Sequence, residues 1–132
     1  MTKYMSKILL IDDDPINNFL NKSIISERIS PEIIVKDFLN PEEALESLIN
    51  QSANDKSSLP DVIFLDINMP EMSGFEFLDL YIKNKLDNLN IPIYILTSSL
   101  DPSDIELSKS YSIVKDFISK PMDADVIRKI IT

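Results

Sequence analysis

The chain has 132 residues, 22 acidic against 13 basic side chains and a formal net charge of −9, with no His, no Cys, a single Gly and eight Pro. That length suits one domain whose core buries roughly two-thirds of the unfolded surface. The missing His and Cys exclude disulfide scaffolds, thiol nucleophiles, His-based triads, ordinary zinc sites and any phosphohistidine relay role. What remains for catalysis or metal binding is oxygen chemistry from Asp, Glu, Ser, Thr and Asn, with Lys in support. The acidity argues against nucleic-acid backbones and anionic membranes as partners. No leader-like start and no apolar run of the ~18 residues a span requires are visible, so the chain reads as soluble and cytoplasmic.

Ile8-Leu9-Leu10-Ile11 is a continuous aliphatic run ended by three Asp, the pattern of a strand buried on both faces. Asp14-Pro15 supplies a cap and a first-turn proline, and Ile16, Phe19, Leu20, Ile24 and Ile25 then recur at helical spacing. Ile33-Ile34-Val35 begins a second strand. Asn40-Pro41-Glu42-Glu43 reads as a cap with a capping-box Glu, opening a helix striped by Ala44, Leu45, Leu48 and Ile49. The polar stretch Gln51 to Ser58 reads as a solvated loop. Val62 to Leu65 is a third strand ending at Asp66, and Gly74 precedes a helical pattern of Phe75, Leu78, Ile82 and Leu86. Ile93 to Leu96 is a fourth strand ending at Thr97, and Asp101-Pro102 opens a helix through Ile105 and Leu107. Asp116-Phe117-Ile118 is a fifth strand ending at Ser119-Lys120-Pro121, and Asp123 caps a last helix through Val126, Ile127, Ile130 and Ile131.

Regular strand–helix alternation implies a parallel sheet with helices on both faces. Ligands of such sheets sit beyond the carboxyl ends of the strands. Those ends carry Asp12 and Asp13, Asp66, Thr97 and Lys120. Three converging carboxylates repel one another unless a cation neutralises them. Oxygen ligands without His or Cys favour a hard ion, for which Mg²⁺ is the economical choice. A carboxylate nucleophile, a divalent metal, a Lys and a hydroxyl are together the parts needed for phosphoryl transfer to Asp.

The segments Ile8 to Pro15, Phe64 to Pro70, Gly74, Ile95-Leu96-Thr97 and Ser119-Lys120-Pro121, in this order and each tied to a strand end, resemble the receiver domain of two-component response regulators. The resemblance runs from Lys7 to Thr132. It implies an α/β fold, a doubly wound, five-stranded parallel, flavodoxin-like sheet in the order 2-1-3-4-5, with helices on both faces. It implies one stand-alone, chemotaxis-regulator-like domain over residues 1–132, with its core at about 7–132 and no output domain. Asp66 would then be the phospho-acceptor. Asp13 would ligate Mg²⁺ directly and Asp12 mainly through water, with Asp66 and the backbone carbonyl of Asn68 completing the set; Mn²⁺ is a substitute. Thr97 would hydrogen-bond a phosphoryl oxygen, Lys120 would pair with it, and Lys120-Pro121 would be cis. Phe117 occupies the aromatic switch position that responds to Thr97. Asn68 and Ser99 sit where the family tunes the lifetime of the acyl phosphate. The readout would run through Asp101 to Ser110 and Lys115 to Arg128.

The implied partners are a sensor histidine kinase or a histidine phosphotransfer protein as donor and a downstream protein as target, with no nucleic acid and no membrane. The domain would be a monomer or a phosphorylation-promoted dimer that phosphorylates and slowly dephosphorylates itself, not a conventional turnover enzyme. Asp14 reads as a structural cap, Gly74 as a residue of backbone geometry, and Met69 and Met72 as packing residues. Two other classes remain open. A dehalogenase-like phosphatase shares the Asp, Mg²⁺, hydroxyl and Lys, but it wants a second Asp where Asn68 stands. A degenerate receiver would act as a binding module without phosphorylation, although all five site positions are filled.

Overall fold

The computed structural model describes residues 4–98 and 101–132. Five parallel strands, β1 (Lys7–Ile11), β2 (Ile34–Phe38), β3 (Val62–Asp66), β4 (Ile93–Thr97) and β5 (Val114–Ser119), pair in the order β2-β1-β3-β4-β5. Helices α1 (Pro15–Arg28), α2 (Pro41–Asn54), α3 (Gly74–Lys83), α4 (Pro102–Ser108) and α5 (Ala124–Ile131) alternate with them. The sheet is parallel, as the alternation implies, and its strand order is the doubly wound one that the resemblance implies. Because side chains alternate across a strand, β1 divides its residues between two cores. Leu9 and Ile11 join Ile63, Leu65 and Ile95 against α2 and α3, while Ile8 and Leu10 join Val62 and Phe64 against α1 and α5. No helix among the described residues is long and apolar enough to cross a membrane.

The caps follow the sequence. Asp14 accepts from the Ile16 N–H, Asn40 from those of Glu42 and Glu43, Asp101 from that of Ser103, and Asp123 from that of Asp125. The reciprocal capping box forms at Ser73 and Glu76 instead of at Asn40.

Three local readings are corrected. In α1 only the later part of the apolar stripe faces the core: Ile25 is buried and Ile24 packs against it, but Ile16, Phe19 and Leu20 are 67, 68 and 48% exposed, and Asn18 and Asn21 are buried in their place. The helix is set in this rotation by hydrogen bonding, since the Asn18 amide donates to the Asp12 carbonyl at 3.0 Å. The polar stretch after Asn50 is half helical, because α2 continues to Asn54 before a short 3-10 turn over Lys56–Ser58. Finally α3 stops at Lys83: Lys85 takes a left-handed conformation, and Leu86 is buried from a separate 3-10 turn. Leu78 is buried as expected, but its companions on the buried face of α3 are Phe77 and Tyr81, not Ile82.

Candidate functional site

The carboxyl ends of β1, β3 and β5 bring the side chains of Asp12, Asp13, Asp66 and Lys120 to one crevice, with Thr97 at the adjoining end of β4. Asp12 is fully buried after β1; its Oδ1 accepts from the Asp14 N–H at 3.0 Å and its Oδ2 lies 2.8 Å from Lys120 Nζ. Asp13, the next residue, is exposed. Asp66, the last residue of β3, is buried; its Oδ1 accepts from the Asn68 N–H at 3.1 Å and its Oδ2 lies 3.4 Å from Lys120 Nζ. Thr97 ends β4, fully buried, and its carbonyl accepts from the Lys120 N–H at 2.9 Å. That backbone bond and the cis Lys120-Pro121 peptide accompany the path of Lys120 back over the sheet end. Lys120 therefore sits between two buried carboxylates with its ammonium largely withdrawn from solvent.

The electrostatics follow from burial. Loss of solvent pushes the Asp66 carboxyl up from 3.8 to about 6; the Asn68 N–H works against this, the Asp12 charge adds to it, and Lys120 opposes it. Burial alone would lower the Lys120 ammonium, but the hydrogen bond and charge of Asp12, followed by those of Asp66, outweigh it and raise the group. The site is thus short of positive charge. One ammonium faces three carboxylates, Asp12, Asp13 and Asp66, each with an oxygen within 4.8 Å of the others'. A hard divalent cation fits this donor set, and Asp13 is the carboxylate most accessible to it.

Asn68 is exposed at the rim and Phe117 is half-buried, packed against the α2–α3 core; Ser99 lies outside the described residues. Met69 and Met72 are buried, as packing residues should be. Asn18 was not legible as a site residue. Its amide fixes the Asp12 carbonyl from within α1, yet in sequence a polar residue between Ile16 and Phe19 reads as solvent-facing. Its Oδ1 is buried without a hydrogen-bond partner among the described residues.

Comparisons with known proteins agree on one family. The model of the response regulator receiver domain matches residues 8–132. Among curated proteins, the hybrid signal transduction histidine kinase L of Dictyostelium discoideum is 32% identical over 98% of this chain and 7% of its own length. The Helicobacter pylori chemotaxis protein CheV1 is 33% identical over 92% of this chain and 36% of its own length. The chain thus spans well under two-thirds of these curated relatives. Among solved structures, a two-component response regulator from Cytophaga hutchinsonii superposes with a TM-score of 0.83 at 30% identity, covering 97% of this chain and 95% of that one. A response regulator receiver protein from Dyadobacter fermentans gives 0.79 at 25% identity, covering 94% and 93%.

Proposed function

The chain belongs to the receiver-domain family of two-component response regulators, and from that premise we propose that it accepts a phosphoryl group on Asp66 from a phosphohistidine of a partner protein. The observation that carries the reading is the placement of a buried Asp66 within 3.4 Å of the Lys120 ammonium and in one acidic group with Asp12 and Asp13. An Asp66 carboxylate oxygen donates an electron pair to phosphorus. The P–N bond of the phosphohistidine breaks, and its pair remains on the imidazole nitrogen. Mg²⁺ bound by Asp13, Asp12, Asp66 and the Asn68 carbonyl would supply the positive charge that the crevice lacks.

Lys120 is the residue that exchanges partners. Held between Asp12 and Asp66 before transfer, its point charge is free to follow a phosphoryl oxygen as negative charge moves there. Thr97 contributes its hydroxyl from the end of β4. Added charge of about −1.5 to −2 on Asp66 is then read through Thr97, Phe117 and the surface of α4, β5 and α5. Water admitted past Asn68 hydrolyses the acyl phosphate slowly.

This chain has no His, so the phosphohistidine donor lies outside it, on a histidine kinase or a histidine phosphotransfer protein. The exposed Ile16 and Phe19 on the first turns of α1, directly after Asp12 to Asp14, give such a partner an apolar footing beside the acceptor. The deciding experiment incubates the protein with acetyl phosphate and Mg²⁺ and measures intact mass. One phosphoryl addition that disappears in Asp66→Asn is expected; no addition, or addition that survives Asp66→Asn, overturns the reading.

A further inference from the structure

Along the β2 edge of the sheet, α2 leans over β1 and β3, where Ala44, Leu45 and Leu48 share a core with Leu9 and Leu65, and covers the outer strand only in part, at Phe38. Ile34, Lys36 and Phe38 project from the same face of β2 toward α2 without being fully closed over, and Ile34 is 61% exposed. The wedge between β2, α2 and the 3-10 turn is a cleft of about 340 Å³, within the range that takes small organic ligands.

Its chemistry is unlike the rest of the surface. Ile34, Leu9, Phe38 and Pro60 provide apolar walls, Ser47 and Gln51 of α2 supply a hydroxyl and an amide, and Lys7 and Lys36 supply two ammonium groups. Among the described residues no carboxylate lines it, in a chain whose acids outnumber its bases 22 to 13. The cations are held in place. Lys36 Nζ lies 5.2 Å from the Phe38 ring centroid, and Lys7 Nζ donates to the Ser57 carbonyl. The nearby acids are committed elsewhere: Asp55 accepts from the Ser57 hydroxyl and Asp61 from the Ser6 and Lys7 N–H groups.

We infer that this cleft binds a small organic anion with an apolar body, of the aromatic or branched aliphatic carboxylate class. The apolar body would lie on Ile34 and Phe38, and the anionic group between Lys7 and Lys36. The inference is independent of the chemistry at Asp66, since none of the residues involved belongs to that site.

The test uses the full chain, with 8-anilino-1-naphthalenesulfonate as anionic probe and N-phenyl-1-naphthylamine as its uncharged analogue, each titrated while backbone amide NMR shifts are followed. Saturable binding of the sulfonate is expected, with shift changes at Lys36, Phe38, Gln51 and Ser58. Lys36→Gln, an exposed change that leaves the fold intact, should weaken the sulfonate about three- to fivefold, the scale of one partly screened ion contact, and leave the uncharged probe unchanged. Lys7→Gln should act in the same direction. The inference is overturned if no shift change falls in the cleft, wherever else the probe binds, or if the two probes weaken equally in Lys36→Gln.

Discussion

Replacing Gly74 by Ala adds one methyl group at a place where the backbone has no room for it. A Cβ there would lie 2.7 Å from Ile67 Cα, 2.8 Å from the Asp66 carbonyl oxygen and 3.0 Å from Ile67 Cγ2. The two shortest contacts are to backbone atoms, which cannot rotate away, so the Asp66-Ile67 segment and the start of α3 must separate by roughly 0.8 Å to restore ordinary carbon–carbon contact. Overpacking of this kind costs about 1–3 kcal/mol, and an immovable neighbour puts it near the top of that range. Against this, Ala gains up to about 1 kcal/mol over Gly in a helix. The expected net loss is therefore about 2 kcal/mol, which lowers the thermal midpoint by about 6–12 °C in a domain of this size. Because the displaced carbonyl belongs to the proposed acceptor, labelling by acetyl phosphate should slow as well. Thermal and urea unfolding followed by circular dichroism, with amide shifts of Asp66, Ile67 and Asn68, measure both effects. An unchanged or higher midpoint with those shifts in place would refute the steric reasoning.

Tyr81→Phe removes a buried hydroxyl that has no hydrogen-bond partner among the described residues, so it should stabilise the protein by about 1 kcal/mol; a lower unfolding midpoint would mean that the hydroxyl is satisfied after all. Tyr111, pushed up to about 12 by burial and by its 2.7 Å hydrogen bond to the Asp79 carboxylate, should show a phenol titration that Tyr111→Phe deletes from the ultraviolet difference spectrum. Its folded value lies above its unfolded one, so its contribution to stability is complete below pH 10 and is lost as pH rises toward 12. Loss of that contribution already between pH 8 and about 9 would contradict the shift. Phe19→Ser, at a side chain 68% exposed, should change stability by less than about 0.5 kcal/mol. It should leave acetyl phosphate labelling intact yet slow transfer from a phosphohistidine protein about tenfold, the equivalent of about 1.4 kcal/mol of lost apolar contact. Equal transfer rates would remove α1 from the proposed partner surface.

Local chemistry made most of the scaffold readable. A strand buried on both faces can only be a short aliphatic run, so Ile8 to Ile11, Val62 to Leu65 and Ile93 to Leu96 announced themselves, and Asp14-Pro15, Asn40-Pro41 and Asp101-Pro102 marked helix starts because an Asx cap and a first-turn proline each satisfy a local backbone requirement. Alternation then implied a parallel sheet, the resemblance implied its strand order, and the strand ends placed Asp12, Asp13, Asp66 and Lys120 together beside Thr97.

Where a side chain's environment depended on distant chain, sequence pattern failed. The stripe Ile16, Phe19 and Leu20 has the period of a core face, but helical period alone does not say which face turns inward. A hydrogen bond from Asn18 to the Asp12 carbonyl and the packing of Ile25 chose the other side. Gly74 was legible as a residue of backbone geometry, yet its requirement is the close approach of Ile67 and Asp66, two residues brought against it only by the folded loop. The raised pKa of Asp66 is of the same kind, since desolvation and the Asp12 and Lys120 charges act through space across three strand ends. Residue types and spacing therefore specify the elements and the members of the site, whereas rotation, close approach and electrostatic environment arise only when separated segments meet.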